Sequence, residues 1–434
     1  MRVPLLLLLL AGATPLAAQD SLLAPRPLTL LDAVRLGRAR GVSAALARIN
    51  ARVAQTRVGQ RRADLLPAIG GSAGVTRQTV NLDETGIPVA TGVTDPFTVW
   101  RFRLAASQTL FDAAAFARLR AGKDSALAAG LDARAVGELA AATGGFAWLR
   151  TLSARETVRA READSAVAAD LLAQARQLVD AGVSPAIDLT RSEVSFAAVR
   201  TQLEVARNAL DRARLDLVRA LDLPPGAAVE LADSLVLAPP AFPTDPDEAG
   251  RYARDHRPEL AAERTRTAAA RRNLGAIRAE YLPSIGLSGY YQRSARELGD
   301  LAGSYSVQLG VSVPILDGFR RQTRAQEQRV RLEGQELRER DLGNHVETEA
   351  RQAALDLASA REQVVIAAER LRLAERELAE AQERFRAGVA GSVETTNAQG
   401  AVTGARDALI QARVSHGSAW VGLQRALGIL DQAQ

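Results

Sequence analysis

No proline follows Pro314, so the last 120 residues of the chain contain no strong helix breaker. Within them Val346, Ala350, Ala353, Leu357, Ala360, Val364, Ala368, Leu371, Ala374, Leu378, Ala381 and Phe385 recur at gaps of three and four, with Arg and Glu filling many positions between. That alternation is the seam of a helix packed along a neighbouring helix. At about 1.5 Å rise per residue, the run from Phe319 to Phe385 makes a rod on the order of 100 Å long. No ordinary globular core needs such a rod, so any fold for this chain has to account for its length.

Composition narrows the choice. Apolar residues are 47% of the 434, much of it alanine, which suits close helix–helix approach better than a thick core. There is no cysteine, hence no disulfide, thiol nucleophile, thiolate metal site or lipidated cysteine. The formal net charge is +5, but Lys123 is the only lysine. The arginines read as interleaved with Asp and Glu on solvated helix faces rather than as a nucleic-acid surface. Arg2, the apolar run Val3–Leu10 and the small residues through Ala17 and Ala18 read as a secretory signal peptide over residues 1–18. No later stretch approaches 18 uncharged apolar residues, so an exported chain of this kind enters a membrane only as strands.

An internal duplication dominates the rest. Ala63-Asp-Leu-Leu-Pro-Ala-Ile-Gly70 matches Ala279-Glu-Tyr-Leu-Pro-Ser-Ile-Gly286, Leu110-Phe-Asp112 matches Ile315-Leu-Asp317, and Asp180-Ala-Gly-Val183 matches Arg386-Ala-Gly-Val389. Self-similarity of this kind means that one structural unit is built twice. The expected units are residues 19–226 and 247–434, joined by a proline-rich linker over 227–246. Each opens with a short amphipathic helix, Leu30–Arg40 or Asp247–His256, and a longer one, Ser43–Leu66 or Pro258–Leu282, stopped by Pro67 or Pro283. Each continues with a β-hairpin, expected over 68–110 and 284–315, and a helical hairpin, expected over 113–223 and 319–430. Gly182 suits a left-handed helix end, Ser184 an N-cap and Pro185 a first helical position; Ser392 is the expected cap after the second reversal.

The strand reading rests on a change of period. Val307, Leu309, Val311 and Val313 alternate with Ser306, Gln308, Gly310 and Ser312, as a one-sided strand does. Strands of roughly ten residues cross a bilayer when tilted. Phe97, Trp100, Phe102, Tyr290, Tyr291 and Tyr305 cluster in these strands and are the expected membrane-interface aromatics. Four strands cannot close a barrel, and an open sheet in lipid leaves unpaired edges, so the chain has to oligomerise around an axis.

These features together resemble the TolC-like outer membrane efflux proteins. The resemblance runs from Leu28 to Leu427 and is carried by Leu66-Pro67 and Leu282-Pro283, by Phe111-Asp112 and Leu316-Asp317-Gly318, and by the tip segments around Gly182 and Gly388. It implies a mainly α fold with a small β part: long antiparallel coiled-coil helices, and four strands per chain in a 12-stranded barrel shared by a homotrimer above an α-helical tunnel. It also implies an outer-membrane location reaching into the periplasm, contact with outer-membrane lipid, and partnership with a periplasmic adaptor and an inner-membrane pump. In such proteins the adaptor docks around the tip turns, which map to Gly182, Val183, Gly388 and Val389. The narrow entrance is ringed by acidic residues, which map to Glu394 and Asn397, so one carboxylate ring is expected rather than two. Asp188 matches the acid that latches the closed tip. Phe385 and Ala390 replace the Tyr and Arg that bond it elsewhere, which leaves Arg384 or Arg386 as the expected substitute. The cargo is not readable from these motifs.

The chain carries no recognisable catalytic constellation. Gly70-Gly-Ser72-Ala-Gly74 spells G-x-S-x-G, but it falls in a strand after Pro67 with no helix opening behind it. His256, His345 and His416 are isolated, and no phosphate-cradling glycine loop or cofactor motif occurs. The expected function is a passive exit duct, and the rival is a periplasmic coiled-coil adaptor without a barrel.

Overall fold

The computed structural model describes residues 27–82, 92–232, 237, 240–387, 389 and 391–430. The predicted signal peptide lies outside them, as do Gly388, Ala390 and part of the linker. The described elements run α1 (Leu30–Arg40), α2 (Val42–Ala63), β1 (Ala68–Gln78), β2 (Phe97–Phe111), α3 (Ala113–Asp180), α4 (Ala186–Ala220), α5 (Pro246–His256), α6 (Pro258–Ala279), β3 (Ser284–Ala295), β4 (Ala302–Ser312), α7 (Arg320–Arg386) and α8 (Ser392–Leu427). The order helix, helix, strand, strand, long helix, helix therefore occurs twice. The rods α3 and α7 have 68 and 67 residues, each about 100 Å of helix.

Several boundaries differ from the sequence reading for local reasons. Both α2 and α6 stop three residues short of the expected leucine. Leu66 N–H bonds Ala63 O at 3.0 Å and Leu282 N–H bonds Ala279 O at 3.0 Å, so the last turn tightens as the chain approaches a proline that disfavours α backbone before it. The strands reach into the expected loop Arg293–Gly303, because Arg293 pairs with Gly303 and Ser294 with Ala302. β4 ends at Ser312, leaving Val313 outside. Pro185 caps α4 rather than starting it, and Gly391 caps α8, so Ser184 and Ser392 are freed for another task.

The Asp that recurs at each strand exit has a definite role. Asp112 caps α3 by accepting from Ala115 N at 2.9 Å. Asp317 accepts from Arg321 N at 3.1 Å and from Arg321 Nε at 2.7 Å. In the second corner two further residues, left-handed Gly318 and Phe319, stand between the Asp and the rod.

All four strands form one antiparallel sheet in the order β1-β2-β3-β4, so β2 pairs with β3 across the two halves. The register stacks Gly71, Leu104, Tyr291 and Tyr305 in one row, and Ile285 faces Val311 as Leu287 faces Leu309. Alternation then puts Ile69, Val75, Trp100, Phe102, Leu104, Tyr291, Tyr305, Val307 and Leu309 on one face. The other face carries Ser72, Arg101, Arg103, Ser288, Tyr290, Ser306 and Gln308.

Among the rods, α3 packs against α2 and α4 on one side and against α6 and α8 on the other, and α7 closes against α6 and α8. One flank of the protomer is therefore α2 with α4, the other is α7, and the sheet likewise ends on β1 and β4, which have no further strand partner among the described residues. The short helices α1 and α5 belt the rods at mid-length. Leu30, Ala33 and Val34 of α1 pack with Trp148, Leu149, Leu217 and Val421, and Ala249 and Ala253 of α5 pack with Val346, Ala350 and Leu427. Trp148 is 1% exposed and donates from Nε1 to Leu28 O at 2.7 Å, tying the start of the described chain to α3.

The α1–α3 crossing is close enough to require glycine. A Cβ on Gly37 would stand 2.6 Å from Ala140 O, and one on Gly144 would overlap Ala33 O, both rigid backbone atoms. Gly144→Ala gains helix propensity but has to push the two helices apart. We expect a net loss of about 1–3 kcal/mol, the usual cost of overpacking, seen as a lower melting temperature of the detergent-solubilised protein; an unchanged melting temperature would disprove the close crossing.

Candidate functional site

The tips of the two helical hairpins are built alike. After α3, Val183 N–H bonds Leu178 O at 2.9 Å and Gly182 N–H bonds Val179 O at 3.0 Å, with Gly182 at φ 71°, the geometry of a glycine-terminated helix. After α7, Val389 N–H bonds Arg384 O at 3.1 Å, repeating the outer of those two bonds. Gly388, the matching glycine, falls outside the described residues. Val183 and Val389 are both exposed, so each tip presents an apolar side chain to its surroundings.

Between the tips sits Asp188, only 6% exposed at the start of α4. Ser392 at the start of α8 donates from Oγ to Asp188 Oδ1 at 2.5 Å, and Ser184 donates from Oγ to Oδ2 at 2.8 Å. Arg191 stands 3.7 Å away. The expected arginine substitute is not used within the protomer: Arg384 pairs with Glu394 at 2.9 Å and Arg386 with Glu383 at 2.8 Å. Phe385 is buried in the hairpin and contributes packing, not a bond. Within the protomer the Asp188 carboxylate is thus held chiefly by a serine hydroxyl from the second half. That hydroxyl holds the Asp188 carboxyl below the usual carboxylate range against the opposing effect of burial, and Ser184 and Arg191 add to it.

Glu394 lies in the first turn of α8 with its side chain 45% exposed, and Asn397, one turn on, is also exposed. Both stand on one face of the helix. Glu394 is not a free carboxylate, however, because Arg384 compensates part of its charge.

A second cluster escaped sequence reasoning. Asp164 of α3 is 2% exposed and accepts from Arg161 Nη1 at 2.6 Å, Arg406 Nη1 at 2.9 Å and Thr403 Oγ1 at 3.0 Å. Its backbone carbonyl accepts from Gln399 Nε2 at 3.2 Å, and Arg161 also bonds Asp407. This buried network joins the rod of the first half to the return helix of the second. Nothing in the sequence distinguishes Arg161 and Asp164 from the many other oppositely charged neighbours on these helices.

On the sheet, Trp100, Phe102, Tyr291 and Tyr305 share the apolar face. Phe97 and Tyr290 do not: Tyr290 lies 4.0 Å beneath the Arg103 guanidinium and Phe97 lies 4.3 Å beneath that of Arg296, both on the polar face. The period of two sends adjacent residues to opposite faces, so Tyr290 and Tyr291 cannot both meet lipid. At the strand–rod junction a further group of exposed apolar residues was missed, including Tyr281, Ile315, Leu316 and Phe319. Among the described residues no helix is long and apolar enough to cross a membrane, and no group of His, Asp or Glu is arranged to hold a metal ion.

A one-sided sheet with open edges joined to rods of this length defines the strand–rod architecture of outer-membrane channels. The sequence pattern of the family described as "Outer membrane efflux protein" matches residues 35–222 and 250–429, and the chain belongs to that family. It is 30% identical over 328 residues to Protein CyaE of Bordetella pertussis, a match covering 71% of this chain and 65% of the relative, so it spans just under two thirds of that protein's length. Among solved structures, the CmeC outer membrane channel of Campylobacter jejuni superposes with a TM-score of 0.81 at 17% identity, covering 93% of this chain and 87% of that one. The outer-membrane channel OprN superposes with a TM-score of 0.80 at 19% identity, covering 92% and 89% respectively. The protein is thus an outer-membrane protein whose rods extend into the periplasm.

Proposed function

We propose that three copies of this chain close into one continuous duct, a 12-stranded barrel in the outer membrane above a tunnel of rods, which passively conducts cargo out of the cell. The observation that carries this reading is the pair of unlike open edges on the protomer. β1 and β4 are unpaired, which lipid does not tolerate, and strand-to-strand closure around an axis removes both edges at once. On α7, Val330, Leu337, Leu355, Ile366 and Leu373 are exposed. Their separations of 7, 18, 11 and 7 residues bring each to within about 20° of the last at 100° per residue, so they form one straight apolar stripe. On the opposite flank α2 exposes Val42, Leu46, Ile49 and Val53, and α4 exposes Ile187, Val194 and Val205. A head-to-tail contact between these flanks closes a ring.

The apolar sheet face then meets lipid, with Trp100, Phe102, Tyr291 and Tyr305 towards the outer end and Phe319 with its neighbours at the strand–rod junction. The duct catalyses nothing and takes its energy from an inner-membrane pump reached through a periplasmic adaptor. The adaptor's helices seat beside the turns at Gly182, Val183, Gly388 and Val389, where exposed Val183 and Val389 offer apolar contacts. The reading is tested by membrane fractionation and detergent electrophoresis: heat-modifiable trimers in the outer-membrane fraction support it, and a soluble periplasmic monomer would exclude it in favour of the adaptor alternative.

At the entrance, three Glu394 carboxylates around the axis favour cations, partly offset by Arg384. Glu394→Ala should weaken cation selectivity and block by polyvalent cations in planar-bilayer recordings, and Arg384→Ala should strengthen both. Equal selectivity in all three proteins would remove Glu394 from the gate while leaving the duct intact.

A further inference from the structure

The four strands contain Arg77, Arg101, Arg103 and Arg293 and not one Asp or Glu. Arg101 and Arg103 are exposed on the polar face, next to one another in the alternation. Arg101 pairs across the sheet with Gly74 and Ser294, and Arg103 with Ser72 and Gln292, so no carboxylate faces either on the neighbouring strands. Arg296 follows β3 directly at the outer end of the sheet. Two of the three guanidinium groups are held in place by aromatic rings: Arg103 on Tyr290 and Arg296 on Phe97. The acids nearest in sequence, Asp95, Glu297 and Asp300, form no ion pair with these arginines among the described residues. The flat guanidinium stacked on a ring keeps its N–H edge free to donate to phosphate or carboxylate oxygens.

We propose that Arg101, Arg103 and Arg296 form a collar inside the barrel that binds polyvalent anions, solutes bearing several phosphate or carboxylate groups, at its outer mouth. The inference rests on the trimeric duct proposed above, since closure turns three arginines per chain into a ring and puts the polar face in the lumen. The duct then has ends of opposite preference, with carboxylates at the periplasmic entrance and guanidinium groups at the exit. A dissolved anion in the lumen is the occupant because the collar and the apolar band lie on opposite faces of the same strands, which keeps lipid headgroups away from it.

The test uses trimers of the full chain in planar bilayers of neutral lipid, with inositol hexakisphosphate as the probe. Added on the barrel side, it should block the wild type. The triple variant Arg101→Gln, Arg103→Gln, Arg296→Gln should need about tenfold more probe or beyond, and its reversal potential in a KCl gradient should move towards cations. Arg101→Gln alone removes a side chain with no bonding partner among the described residues; it keeps the fold and should shift both readings in the same direction by less. Equal block of wild type and both variants, or block from the tip side only, would overturn the collar. Wild-type trimers that conduct nothing would overturn the duct itself, a failure recognisable before any probe is added.

Discussion

Asp188→Ala should leave the trimer assembled but unfasten its tips, raising the open probability of the pore by about tenfold or more. The expectation follows from what the carboxylate holds. Its two oxygens accept from Ser392 and Ser184, one on α8 and one beside α4, and the first of these bonds joins the two helical hairpins. Hydrogen bonds to charged groups contribute about 1.5–3 kcal/mol each, and 1.4 kcal/mol is tenfold in an equilibrium. Opening that separates α4 from α8 has to break the Ser392 bond. Single-channel recording measures the effect directly. Ser392→Ala should reproduce most of it, whereas Arg191→Ala, removing a more distant exposed partner, should do little. Intact trimers of Asp188→Ala with wild-type conductance and open probability would show that the contact is not a latch.

The same contact predicts a pH dependence with a definite sign. The folded carboxyl titrates below its unfolded value, so the clasp contributes fully above the unfolded pKa and is lost as pH falls through the folded one. Gating should therefore be flat through neutrality and loosen only in acid below about pH 4.

Asp164→Ala should be the most destabilising single change in the rods, at about 3–5 kcal/mol, the usual cost of breaking a buried ion pair from one side. It removes half of the bonding of the buried Arg161 guanidinium, together with one partner each of the half-buried Arg406 and Thr403. Thermal or urea unfolding of the trimer in detergent should show it plainly. The contrast is Glu369→Ala: Glu369 pairs with Arg372 at 2.7 Å, but both side chains are more than half exposed, and water and salt screen such a pair so that its loss should barely move the transition. If the two variants unfold together, the Asp164 network is ornament rather than brace. Replacing Arg161 and Asp164 jointly with leucine should cost less than Asp164→Ala alone, since no orphaned charge remains at that pair.

Much of the architecture was legible because periodicity and proline placement are local signals. The absence of proline after Pro314 and the spacing from Val346 to Phe385 set out α7 to within a residue. The doubled Leu-Pro and Asp motifs marked where helix gives way to strand and strand to rod, since a proline and a capping Asp act on their immediate neighbours. The reading of charge was less successful. Between Asp32 and Asp64 the chain has eight arginines and no acid, so α2 breaks the interleaving expected of the whole. The aromatics were located on the right strands but assigned as one group, although the pleat divides them: Trp100, Phe102, Tyr291 and Tyr305 on one face, Phe97 and Tyr290 under arginines on the other.

By itself, then, the sequence determined the kind of element at each position and that the unit is built twice, because helix seams, strand alternation and helix stops depend on residues a few places apart. Only the tertiary structure decided which partners meet: Ser392 on Asp188 across 204 positions, Arg406 on Asp164 across 242, and β2 beside β3 across the halves. Such pairs are chosen by how whole rods and strands pack. A serine or an arginine looks the same in the sequence whether it faces water or closes a buried carboxylate.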